Sequence, residues 1–102
     1  MEYYVYIIIS EDIMKAVISV TGRDSMGIIA KVSVTCAEHK ANIVDISQSV
    51  LSEYFAMIMV VDISTLTIPF ASFIDEMTEL GEKNNLVIHT MHEDIFNSMH
   101  NI

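Results

Sequence analysis

Apolar residues along the first third of the chain change from one periodicity to another. Residues 14–20 alternate loosely, as in a strand, and residues 21–27 interrupt this pattern with two glycines, an Asp and a Ser. Beyond that loop, apolar residues recur at helical spacing at Ile29, Val32 and Cys36. The pattern predicts a strand, a tight loop and an amphipathic helix.

The middle of the chain returns to β character in two neighbouring segments. Residues 42–50 carry a β-rich opening followed by a polar stretch, and residues 54–63 are apolar at almost every position. Ser52 and Glu53 form the predicted turn between them. Two strands joined by so short a link are expected to be antiparallel neighbours.

The last third predicts a helix, a strand and a short terminal helix. Pro69 suits the first turn of a helix, and Gly81 is expected near its C-terminus. Residues 86–91 form the predicted last strand, and Asp94 could cap the terminal helix. The apolar positions of the two helices are Phe70, Phe73, Ile74, Met77 and Leu80, then Ile95, Phe96 and Met99.

The order from residue 14 onward is therefore β-α-β-β-α-β. This is the α+β, ferredoxin-like βαββαβ sandwich, an antiparallel four-stranded sheet with two helices on one face. We expect residues 14–102 to form one domain. Residues 1–13 are an N-terminal extension whose apolar residues 3–9 predict an extra strand, paired with a sheet edge or another subunit.

The segment 54–63 is apolar on both of its predicted faces. A sheet covered by helices on one side is expected to show polar residues on the other. We therefore expect a partner subunit, the N-terminal strand or both to cover the second face, and favour a homo-dimer. The two sets of side chains are Phe55, Met57, Met59 and Val61, and Ala56, Ile58 and Val60.

The net charge and the cysteine content of the chain limit the classes of function to be considered. The chain has 102 residues and a net charge of −9, which disfavours binding to nucleic acid and to anionic membrane surfaces. One cysteine, Cys36, fits a reducing cytoplasm and a buried packing role. The basic residues are scattered, at Lys15, Arg23, Lys31, Lys40 and Lys83.

The loop before the first helix is the segment most informative about function. Its glycines, Gly22 and Gly27, enclose an Asp, and a helix N-terminus follows whose free N–H groups could hold a carboxylate. The spacing alone favours a simpler interpretation, in which Asp24 or Ser25 caps the helix and Gly27 tightens the turn. Dinucleotide and P-loop patterns are absent.

Two junctions resemble the ACT domain, and most of all the small stand-alone ACT-domain proteins. They are Gly-Arg-Asp-Ser-Met-Gly-Ile-Ile-Ala at 22–30 and Ala-Asn-Ile-Val-Asp-Ile-Ser-Gln at 41–48. The segment 92–100 is also similar to the end of that family, so the likeness covers residues 14–102. It implies a non-catalytic regulatory module that binds a small effector, typically an amino acid, where paired domains meet.

The resemblance also implies a site built from the first loop and the start of the second strand, often of the neighbouring subunit. Many ACT domains have a proline before the loop glycine, where this chain has Met26. Asn42 offers both a donor and an acceptor. The implied ligand-binding residues are Asp24, Met26, Gly27, Ile28, Asn42, Ile43 and Val44.

Two other functions stay open at this point. One is a protein–protein interaction module without a ligand, which recruits a protein partner through the sheet face or the terminal helix. The other is a small metal-dependent enzyme using His89, His92 and an acidic residue. Those histidines should lie on opposite faces of a strand, which weakens a shared metal site. We expect no catalytic residue, metal or cofactor.

Overall fold

The computed structural model describes residues 14–23 and 26–100, and these form the predicted fold. The sheet order is β2-β3-β1-β4 with antiparallel neighbours, and the predicted ferredoxin-like class is confirmed. The strand predicted within residues 1–13 lies outside the described residues. The elements are β1 Lys15–Gly22, α1 Ile28–Glu38, β2 Asn42–Leu51, β3 Tyr54–Asp62, α2 Phe70–Lys83, β4 Val87–His92 and α3 Glu93–Met99.

The core lies between the helices α1 and α2 and one face of the sheet. Of the two sets of β3 side chains, Phe55, Met57, Met59 and Val61 lie in this core, because alternate side chains point to the same face. Helix α1 buries Ile28, Val32 and Cys36, while Ile29 lies at the border of the core. The predicted stripe was therefore one residue off at its start, since positions four apart stay aligned along a helix.

Gly81 lies in the last turn of α2, near its C-terminus as predicted, but two other predicted helix details differ from the structure. Pro69 is the residue before α2 rather than part of its first turn. Asp94 does not cap α3, because the Nδ1 atom of His92 accepts the hydrogen bond from the Asp94 backbone N–H at 3.3 Å. A histidine acceptor two residues upstream takes the place of the expected carboxylate.

The second face of the sheet is partly covered within the described residues. Val17 of β1 is buried, and the neighbouring Val60 and Met91 are half-buried. Helix α3 contacts β1 and β4. Ile58 of β3 remains exposed on this face, which leaves cover by a partner subunit as a prediction. In residues 14–23 and 26–100, no helix is long and apolar enough to cross a membrane.

Candidate functional site

The loop half of the predicted site is the start of α1. Gly27 has a φ of 73°, a left-handed conformation that favours glycine, and its carbonyl accepts the first helical hydrogen bond from Lys31 N–H at 3.0 Å. The N–H groups of the first turn precede that bond and have no acceptor within the helix. The Gly27 junction thus presents backbone donors at one end of the sheet.

The predicted loop residues differ in what they can offer a ligand. Ile28 is 1% exposed and packs in the core, so its side chain is not available to a ligand. Met26 is 87% exposed. Asp24 lies outside the described residues. A ligand at this junction would therefore meet backbone groups and the Met26 thioether.

The strand half of the predicted site is the start of β2. Asn42 lies opposite Asp62 of β3, and Ile43 lies opposite Val61. Val44 is the extra residue of a β-bulge between Ile43 and Asp45, which bends the edge strand at this point. The side chains of Asn42, Ile43 and Val44 are all exposed. They are open to a ligand or to a second chain.

One chain does not bring the two halves together. Gly22, where β1 enters the loop, pairs with Phe55 of β3, whereas Asn42 pairs with Asp62 at the other end of that strand. Seven residues of strand separate these positions by about 23 Å. The predicted residues can form one site only if a second copy supplies one of the halves.

Asp62, which lies opposite Asn42 on the neighbouring strand, has a pKa that departs clearly from its ordinary value. Its Oδ1 accepts a hydrogen bond from Ser64 N–H at 2.8 Å. Hydrogen bonds from the Ser64 side chain and backbone lower the pKa of this carboxyl from its ordinary value of 3.8. Because the folded pKa is lowered, this carboxylate stabilises the fold above pH 3.8, and that contribution is lost as pH falls through the folded pKa.

We expect a carboxyl-carbon NMR titration to place the pKa of Asp62 below 3.8. The Ser64→Ala variant should raise this pKa toward 3.8, because only the backbone donor remains. Ser47→Ala, an exposed serine of β2, is the matched control and should leave it unchanged. An unchanged pKa in Ser64→Ala would contradict the assignment.

The positions of the cysteine and the histidines require no catalytic or metal-binding role. Burial raises the pKa of the Cys36 thiol to about 11, so the reactive thiolate is scarce at neutral pH. The Nε2 atom of His39 lies 2.9 Å from the Oε1 atom of Glu76, and the rings of His39 and Phe73 form an edge-to-face contact. His89 and His92 occupy opposite faces of β4 as predicted. The described part of the chain contains no cluster of three His, Cys, Asp or Glu side chains suited to a metal.

The structure also contains a feature that sequence analysis missed. The Nζ atom of Lys31 in α1 donates to the Oδ1 atom of Asn84, just after α2, at 2.7 Å. These residues are 53 positions apart, and no motif links them. Together they border a cavity of about 230 Å³ lined by Met26, Ile28, Lys31, Asn84 and Leu86.

Comparison with known proteins agrees with this architecture. The family model described as the ACT domain matches residues 15–89. A UPF0237 protein from Methanocaldococcus jannaschii is 46% identical over 88 residues, which cover 86% of this chain and 98% of that protein. A UPF0237 protein from Clostridium perfringens is 48% identical over 89 residues, covering 87% of this chain and 100% of that protein.

A solved structure gives the same result. The ACT domain protein from Streptococcus pneumoniae superposes with a TM-score of 0.72 at 42% sequence identity, covering 83% of this chain and 96% of that chain. The family match, the relatives and the sheet order all agree. The chain therefore belongs to the ACT-domain family of regulatory ligand-binding modules.

Proposed function

We propose that this chain is a non-catalytic, cytoplasmic sensor that works as a homo-dimer and binds a small effector, an amino acid, between its two copies. One observation carries the proposal. The two halves of the predicted site lie at opposite ends of the sheet in one chain, and one of them lies on an exposed edge strand.

The exposed apolar edge of the sheet supports the dimer. Strand β2 lies at the edge, and its described side chains are exposed on both faces. An exposed apolar edge offers unpaired backbone groups and apolar surface to another chain. A second copy could extend the sheet along this strand. The apolar side chains that would meet it are Ile43, Val44, Ile46 and Val50.

Two-fold symmetry would assemble the site from such a pair. Antiparallel pairing of two β2 strands places the start of each beside the end of the other. The end of β2 lies at the same end of the sheet as Gly22 and the loop before α1. Asn42 of one copy would thus lie on the loop side of the other copy, twice in each dimer.

The chemistry of the two halves suits an amino acid. First-turn N–H groups after Gly27 can bind a carboxylate, because they are donors at the positive end of the helix dipole. The Asn42 side chain of the second copy adds a donor and an acceptor for the other polar groups of the ligand. The predicted site residues that the structure describes carry no hydroxyl, thiol, amine or carboxylate side chain, which is why we propose binding without catalysis.

A thermal-shift screen against the twenty amino acids tests this function. A ligand at about 100 times its dissociation constant adds roughly 2.7 kcal/mol to the free energy of unfolding, so a selective rise in Tm is expected. Gly27→Asp and Asn42→Ala should each abolish the rise, since one places a carboxylate at the donor groups and the other removes the amide. Asn97→Ala, on exposed α3, is the control and should keep it. An unchanged response in both site variants contradicts the proposed site.

A second candidate function is a docking module for another protein. Helix α3 exposes two apolar residues one turn apart, Ile95 and Met99. Residues four apart share one face of a helix, so they form a small apolar surface. Two results together would favour the docking function over effector binding. No amino acid would shift the Tm, and replacing both Ile95 and Met99 with serine would abolish capture of a stoichiometric protein partner from lysate.

A further inference from the structure

A cavity that adjoins the loop half of the proposed dimer site lies between the first turn of α1 and the connection from α2 to β4. Its volume is about 230 Å³. It shares Met26 and Ile28 with the loop half described above. The other three lining residues, Lys31, Asn84 and Leu86, belong to neither predicted half.

The floor of the cavity is formed by two side chains that are fixed in position. Ile28 and Leu86 are both buried. The Leu86 backbone N–H donates to the Gly81 carbonyl at 2.9 Å, which ties the connection to α2. A Cβ atom at Gly22 would overlap Leu86 Cδ2, so the bare backbone of Gly22 is what lets Leu86 pack against the end of β1.

The Lys31 ammonium lies at the rim of the cavity, where the neutral side chain of Asn84 accepts a hydrogen bond from it. Asn84 Nδ2 donates to the Leu80 carbonyl at 2.7 Å, and this bond turns its Oδ1 toward Lys31. The Lys31 ammonium uses one N–H on that oxygen and has two more to offer. Lys83, by contrast, forms an ion pair with Glu79 at 2.8 Å. The positive charge of Lys31 is therefore not neutralised by the amide that holds it.

We infer that this cavity binds the carboxylate of a small organic acid. The Lys31 ammonium donates to the carboxylate, and Asn84 positions the ammonium. A charge-assisted hydrogen bond favours an anion over its neutral analogue. Because Lys31 and Asn84 belong to the same chain, we expect binding here without a dimer.

The test is an NMR titration of the full chain with butyrate and with butyramide, which has the same shape and no charge. Butyrate should give saturable shifts in the backbone amide signals of Ile28, Lys31 and Leu86, and butyramide should not. Lys31→Met should weaken butyrate binding by about tenfold or more, because it removes the charge and keeps the apolar stem. Lys83→Met, with the same charge change outside the cavity, should weaken it by less than about twofold.

Asn84→Asp tests the same contact from the other partner. Its carboxylate should pair with Lys31 and exclude butyrate, and its Tm should fall because the donor to the Leu80 carbonyl is lost. Equal shifts with butyrate and butyramide, or equal effects of Lys31→Met and Lys83→Met, would overturn the inference. Asn42→Ala should leave butyrate binding intact, so failure of the amino-acid screen and failure of this site are distinguishable.

Discussion

Replacing Ile46 with lysine is expected to convert the dimer into a monomer, with a rise of about 100-fold or more in its dissociation constant. Ile46 lies near the middle of β2, where two antiparallel copies of the strand would cross. It is 38% exposed, so lysine fits the monomer without disturbing the core. In the dimer, the two lysines would face each other across the two-fold axis, and like charges on opposed strands repel.

Val87→Lys is the matched control for this variant. Val87 is the first residue of β4, the other edge of the sheet, and is 53% exposed. The Val87→Lys substitution makes the same change of charge and polarity as Ile46→Lys, but at an edge that the proposed dimer does not use. Sedimentation equilibrium at several micromolar concentrations should show a monomer for Ile46→Lys and a dimer for Val87→Lys. The reverse pattern would place the interface on β4.

Gly81→Val is expected to lower the free energy of unfolding by about 3 kcal/mol, the largest effect on stability that we predict. A Cβ at Gly81 would lie 2.9 Å from the Leu86 carbonyl oxygen and 2.9 Å from Ile88 Cγ1. The first neighbour is backbone, so it cannot turn aside as a flexible side chain could. Helix α2 would have to move away from β4 along their contact.

Gly27→Ala provides the comparison for Gly81→Val. Among the described residues, no heavy atom lies within 4 Å of a Cβ built at Gly27, so we expect the left-handed backbone to set the cost, about 1 kcal/mol. Urea unfolding monitored by circular dichroism measures both variants. A Gly27→Ala variant less stable than Gly81→Val would show that backbone conformation, and not the close approach of α2 to β4, limits substitution.

Local periodicity was sufficient to predict the elements of this fold. The continuous apolar run of β3 and the helical spacing of apolar residues in α1 and α2 are properties of neighbouring residues, so these elements were predicted from the sequence. The predicted bounds differ from the observed ones by at most two residues for β1 and by one for β4. Such differences arise at element ends, where the pattern is weakest.

Contacts between distant segments could not be predicted in this way. Gly81 was predicted near a helix C-terminus and lies there, but the close approach of Leu86 and Ile88 that requires glycine at this position was not predictable. The bond between Lys31 and Asn84 depends likewise on two helix ends meeting in space. The family resemblance implied the loop and strand halves of the predicted site separately. It did not show that they lie at opposite ends of one sheet.

Mixing two defective variants tests the composite effector site most directly. Gly27→Asp and Asn42→Ala would each be unable to bind the amino acid selected by the screen. After dissociation and reassociation of an equal mixture, about half of the dimers should contain one copy of each variant. In such a dimer, the intact loop of one copy meets the intact Asn42 of the other, so one site is restored.

Isothermal titration calorimetry of the mixture is therefore the decisive measurement. A site shared between copies predicts recovered binding at about a quarter of the wild-type stoichiometry, with the wild-type dissociation constant. If the mixture binds no better than either variant alone, although hetero-dimers have formed, the effector site is not shared between two copies and the central claim is wrong.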